Sequence, residues 1–213
     1  MDYRNAIHCP PLNEVAKQKG ELGQKIRDAH PRRKIIYNSI NNKQSEYFKE
    51  FAKIYNFKCA YCGASVKFTD VRLFEIDHYI CESAFPNDTK GRAEAGKIEN
   101  LIFSCYSCNR GKGKLHIKGD YAFLLNPDEN SIANAFFRTP DYYIHVQEEH
   151  TSDEFVKLFY KELTLGSEFR RLDFLLLEMD QLITQLRTSN KDLANKLELC
   201  LGRLMQKKNV AFM

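Results

Sequence analysis

The chain has 213 residues, enough to bury a substantial core in one large domain or in a small one with appendages. Its hydrophobic share of 43% and charged share of 28% are ordinary for a soluble globular protein, and no apolar run approaches the length that spans a bilayer. The net charge of +4 is unevenly spread: residues 1–58 carry +6, residues 59–119 +2 and residues 120–213 −4, so either a polyanion meets the front half or the excess is a solvated surface.

The opening Met1-Asp2-Tyr3-Arg4 lacks the apolar stretch of a signal peptide, so a cytoplasmic protein without membrane contact is expected. Residues 1–44 hold scattered apolar positions and a basic cluster of Arg27, His30, Arg32, Arg33 and Lys34. From Ser45 to Tyr55 the apolar residues recur at three and four, which predicts a short amphipathic helix. Residues 71–76 are β-rich and predict a strand that ends or kinks at Asp77-His78. The stretch 83–99, with Pro86, Asn87, Asp88, Gly91 and Gly96, predicts a loop, and Leu101-Ile102-Phe103 a second strand. Cys105 to Lys112 is expected on a turn that opens a helix. Further on, 135–138 and 142–146 are strand-like and 153–163 helix-like.

Two cysteine pairs, Cys59-x-x-Cys62 and Cys105-x-x-Cys108, bracket the centre of the chain. Four thiolates in two knuckles suit tetrahedral zinc, and a site closed by four sulfurs leaves no position for substrate, so the metal would be a structural staple. Other readings are a redox pair, disulfides and free core thiols. No βαβ pattern surrounds either pair, and a reducing compartment weighs against disulfides. Cys9, Cys81 and Cys200 have no partner at ligand spacing.

Between the knuckles stand Glu75-Ile76-Asp77-His78 and Asn100-Leu101, and the second knuckle runs on as Asn109-Arg110-Gly111-Lys112. In order and spacing these blocks resemble the HNH, or ββα-metal, endonucleases over Cys59 to Lys112. His78 has a side chain whose unperturbed pKa suits a base near neutral pH, and Asp77 and Asn109 offer hard oxygen ligands for Mg²⁺ or Mn²⁺. The resemblance implies a catalytic set of His78, Asp77, Asn100 and Asn109, in which Asn100 holds the loop across the hairpin. Asn109 stands where many members have His, and the Asn-Arg-Gly-Lys run is similar to the HNH domain of RNA-guided DNA nucleases. Consecutive strand residues face opposite sides, so Asp77 and His78 are expected where the strand stops being regular. Arg110, Lys112, Lys114 and Lys118 form a basic strip suited to phosphate contacts.

The expected fold class is therefore α+β: a small ββα-metal core at 59–118 stapled by a four-cysteine zinc, a basic helical extension at 1–58, and a mixed, then helical, region at 119–213. DNA is the expected substrate; an RNA-cutting enzyme and a zinc-structured binding module with a silent nuclease site are the alternatives. Leu124-Leu125-Asn126-Pro127 and Leu163-x-Leu165 with Phe169-Arg170-Arg171 resemble the downstream region of HNH proteins in Septu-type and retron-linked antiphage systems, which implies an ATPase partner. After Gly166 the residues Leu172, Leu176, Met179, Ile183, Leu186, Leu193, Leu197 and Leu204 form a heptad seam, with Asn190 and Cys200 at its remaining positions. That seam serves either a partner, which includes a second copy of the chain, or an internal antiparallel hairpin broken at Ser189-x-x-Asp192.

Overall fold

The computed structural model describes residues 2–7, 9–113 and 115–211. Its first part is helical: α1 (Val15–Ala29), the single turn α2 (Tyr37–Ile40) and α3 (Glu46–Ile54). Helix α3 begins where a hydroxyl can satisfy a free amide, for Ser45 Oγ accepts from the Phe48 N–H at 3.1 Å. Its apolar face buries Phe48, Phe51 and Ile54.

The centre holds β1 (Phe74–His78), α4 (Thr89–Ala95), β2 (Leu101–Cys105) and α5 (Tyr106–Lys112). Strands β1 and β2 pair antiparallel, with Ile76 opposite Phe103 and His78 opposite Leu101. Phe103 stacks on Phe74 with ring centroids 5.1 Å apart and meets Phe48 and Tyr55 of the α3 region. Side chains of α5 reach the opposite face of the hairpin. This is the ββα arrangement expected from the sequence. The 83–99 segment departs from the expected loop: it contains α4, because Asp88 Oδ1 accepts from the Gly91 N–H at 2.7 Å and starts a helix among residues that otherwise favour turns.

The remainder comprises the short helices α6 (Tyr121–Leu124) and α7 (Ile132–Ala135), a small antiparallel pair β3 (Phe136–Arg138) and β4 (Ile144–Val146), and α8 (Glu154–Glu162) capped by Asp153. Two long helices follow, α9 (Glu168–Ser189) and α10 (Lys191–Ala211). The heptad pattern is thus broken once. Asn190 Oδ1 accepts from the Leu193 N–H at 3.1 Å and caps α10, one residue beyond the Ser189 expected as the capping residue. The two helices form an antiparallel hairpin, as the Arg187–Glu198 pair at 2.9 Å and the Asp173–Lys208 pair show at its two ends.

One hydrophobic cluster draws on residues from Tyr3 to Leu165 and so crosses all three sequence segments. Helix α5 presses close on the end of α8: a Cβ on Gly111 would lie 2.1 Å from the Glu162 carbonyl oxygen, so no larger residue fits there. Among the described residues no helix is long and apolar enough to cross a membrane.

Candidate metal centre and nuclease site

The first cysteine pair sits on a tight turn and the second at the start of α5. Gly63 closes the first turn at φ +79°, donating its N–H to the Cys59 carbonyl at 2.9 Å. All four sulfurs, Cys59, Cys62, Cys105 and Cys108, are buried and lie within 4.8 Å of one another. Tetrahedral zinc with bonds of about 2.3 Å needs sulfurs about 3.8 Å apart. The Cys62 and Cys105 sulfurs are 3.9 Å apart and the set as a whole spans no more than 4.8 Å, so the cluster is compatible with the ion. Hydrogen bonds from Cys108, Cys59 and Cys62 hold the Cys105 thiol well below its usual range. Cys81 is buried elsewhere, 3.3 Å from the Ser83 hydroxyl, while Cys9 is half-buried and Cys200 exposed.

The N-terminal segment braces the first knuckle. Tyr3 donates its hydroxyl to the Tyr61 carbonyl at 2.5 Å, and Arg4 donates to the Ala60 carbonyl at 2.7 Å and the Pro127 carbonyl at 2.5 Å.

Away from the cysteines, Asp77 and His78 are the last two residues of β1, and both keep their register with β2. Of the two expected possibilities, an end or a kink, the strand ends here. Alternation places Glu75 and Asp77 towards α5 and His78 on the other face, where its ring lies 4.5 Å from that of Tyr37. Both residues nevertheless reach open space, because the strand stops there. One cleft of about 580 Å³ is lined by Asp77, His78, Glu82, Arg92 and Asn109 among others. A second of about 550 Å³ is lined by Tyr37, Lys43, Glu75, Arg110 and the same three residues. Asp77, His78 and Asn109 are the residues common to both.

The surroundings set the chemistry of these side chains. Asp77 is only 5% exposed, and burial pushes its carboxyl up to about 6 against the opposing pull of Lys112 and of the Tyr61 hydroxyl. Tyr61 donates to Asp77 Oδ2 at 2.7 Å. Burial lowers the His78 pKa, partly offset by the charge of Glu82, which favours the neutral imidazole. Asn109 donates its amide N–H to Glu75 Oε2 at 2.5 Å, which leaves Oδ1 as the acceptor atom. Two hard oxygen donors beside open clefts with room for water fit a divalent cation of the Mg²⁺ or Mn²⁺ kind.

One expected role needs correction. Lys112 is not on a phosphate-binding surface: it is 1% exposed, and its ammonium donates to the His78 carbonyl at 2.8 Å and the Tyr79 carbonyl at 3.2 Å, beside Asp77 Oδ1 at 3.3 Å. Asn100 does not line either cleft. Its amide accepts from the Ile80 N–H at 2.8 Å and donates to the Ile80 and Ala95 carbonyls at 3.0 and 2.8 Å, so it holds the loop after β1 and touches no reacting atom. Lys118 is exposed, and Arg110 is largely exposed while paired to Glu75 at 3.2 Å. Lys114 lies outside the described residues. Tyr37, Glu75, Lys43 and Arg92 escape a reading of sequence alone; only Glu75, inside the Glu-Ile-Asp-His block, carries any local signal.

An antiparallel hairpin backed by a helix, with a four-cysteine cluster beside it and two clefts around Asp77, His78 and Asn109, is a ββα arrangement. In agreement, residues 59–115 match the family model of the HNH endonucleases, which suggests nuclease activity and a nucleic acid substrate. No curated protein and no solved structure gives a match.

Proposed function

We propose that this chain is a metal-dependent endonuclease that hydrolyses phosphodiester bonds in DNA, with His78 as general base and a structural zinc on the four cysteines. The observation that carries this reading is the convergence of Asp77, His78 and Asn109 as the residues shared by both clefts. A nucleic-acid strand passing from one cleft to the other would put a phosphate over all three.

In this reading the neutral His78 imidazole takes a proton from the attacking water, and stacking on Tyr37 limits the directions in which its ring can point. Asp77 and Asn109 would hold the catalytic Mg²⁺ or Mn²⁺, which when bound supplies charge neutralisation on the phosphoryl oxygens. Glu75 engages the Asn109 amide N–H and so leaves its oxygen as the atom for the metal. Tyr61 and Lys112 hold the Asp77 carboxylate from behind. Arg92 in one cleft and Lys43 and Arg110 in the other would take the flanking phosphates.

The flanking segments 1–58 and 119–213 serve as helical additions to the module at 59–118, in the cytoplasm. An antiphage role beside an ATPase rests on the downstream sequence resemblance alone.

The test is to incubate the protein with plasmid, single-stranded DNA and RNA in Mg²⁺, Mn²⁺ or chelator, beside His78→Ala. Cleavage of DNA that needs the metal and disappears in the folded, zinc-loaded variant is expected. Cleavage by His78→Ala at the wild-type rate would remove His78 from the mechanism; no cleavage of any substrate would leave a binding module.

A further inference from the structure

Arg170 lies near the start of α9 and is 2% exposed. Its guanidinium reaches Cys108 Sγ at 3.1 Å and Cys105 Sγ at 3.4 Å, and its remaining contact is the Leu163 carbonyl at 3.5 Å. Its Nε has no hydrogen-bond partner among the described residues. No carboxylate lies within ion-pair distance of it among those residues; the sulfurs are the anionic groups it touches, and the buried Asp173 carboxylate acts on it from farther off. A guanidinium is permanently cationic, and a buried charge needs an opposite one. Four neutral thiols cannot supply it. Four thiolates around one divalent cation carry a net charge of −2, and a single guanidinium halves it.

We propose that Arg170 is the counter-cation of the four-cysteine zinc site, and that through it the seating of the α9–α10 hairpin depends on zinc. The inference rests on the zinc reading given above. It draws further support from how little apolar surface seats the hairpin. The small cluster beneath it is Ala6, Phe174 and Leu177. Cys9, Phe68 and Tyr142 pack partly buried against it, and polar contacts add to the seat: Glu178 accepts from the Ile7 N–H at 2.6 Å, Asp180 pairs with Lys67 at 2.5 Å, and Lys208 donates to the Phe68 carbonyl at 3.3 Å. With so few apolar contacts, the charge balance at Arg170 carries weight. Loss of zinc removes the ion that gathers the four sulfurs against which the guanidinium is seated.

The experiment uses the full chain, with zinc content measured first. Arg170→Met keeps apolar bulk without charge, Arg170→Lys keeps the charge, and Arg171→Met controls for disturbance of the helix. Zinc transfer to a chromophoric chelator should run about ten- to a hundredfold faster in Arg170→Met. Arg170→Lys should fall between it and wild type, and Arg171→Met should match wild type. In parallel, stripping zinc from the wild type should raise amide exchange across residues 168–208 sooner than in α1. Should Arg170→Met not fold, the Lys variant and the wild-type exchange experiment decide. Zinc release at the wild-type rate in Arg170→Met, or a hairpin that stays protected without zinc, overturns this inference alone. Protein purified without chelator and holding no zinc overturns the zinc reading as well.

Discussion

Substituting Lys112 by Met separates two opposed expectations for that residue. Its ammonium has three protons and meets three acceptors: the His78 carbonyl, the Tyr79 carbonyl and Asp77 Oδ1. Removing it leaves a buried carboxylate and two carbonyls short of a partner, while the methionine replaces most of the lost bulk. Breaking a buried charge pair from one side costs about 3–5 kcal/mol, and the half-buried His78 side of the site argues for the lower end. About 3 kcal/mol corresponds to a fall in Tm of roughly 6–12 °C for a chain of this size. Adding Mn²⁺ at neutral pH should recover part of the loss, since a bound cation would stand in for the missing charge beside Asp77. The assay is thermal unfolding with and without metal, paired with DNA binding as a function of salt. A surface phosphate contact would give the reverse pattern: unchanged Tm, weaker DNA binding and a salt slope lower by about one. That result would refute the buried role assigned to Lys112.

Asp77 makes the metal-free protein sensitive to pH. Its folded pKa of about 6 lies above the ordinary carboxyl value of 3.8, so its contribution to stability is full below the ordinary value and is lost as pH rises through about 6. In chelator, Asp77→Asn should therefore gain on wild type by about 2.4 kcal/mol between pH 4 and pH 7.5, and an unchanged difference in unfolding free energy between the two proteins at the two pH values, from urea titrations, would contradict the assignment. Asn100→Ala removes three hydrogen bonds from the loop after β1 and should cost about 2–3 kcal/mol, with cleavage slowed but the metal requirement unchanged. A shifted Mg²⁺ dependence in that variant would place Asn100 nearer the reacting atoms. Leu176 and Ile183 are 1% and 4% exposed, so Leu176→Glu or Ile183→Glu should unfold the hairpin in the isolated chain; a folded monomer that only loses assembly would argue for a partner seam.

The parts of the fold legible in the sequence are those set by short-range spacing. Knuckle spacing is local, and so are the Ser45 and Asp153 caps and the strand patterns around Phe74 and Leu101. Helix α4 is hidden because its cap, Asp88, stands among residues that also make loops. Lys112 misleads for a different reason. Sequence displays a run of basic residues but not the hole behind β1 into which one of them folds. Tyr37 precedes β1 and Arg92 lies in the connection between β1 and β2, and nothing in their own neighbourhoods marks them as cleft residues. The single break in the heptad seam is foreseeable from the capping residues near 190, although the cap itself lies one residue later.

The separation of Arg170 from the sulfurs it faces also has a consequence in time. The second knuckle is complete once Cys108 is made, while Arg170 follows 62 residues later. At about 5–20 residues per second, that interval during synthesis is roughly 3–12 s. For those seconds the four cysteines can gather, and capture zinc or meet an oxidant, without their counter-charge. The state in which the sulfurs are found at the end of that interval decides what the arriving guanidinium encounters, so cofactor supply during translation is written into whether the last two helices reach their seat.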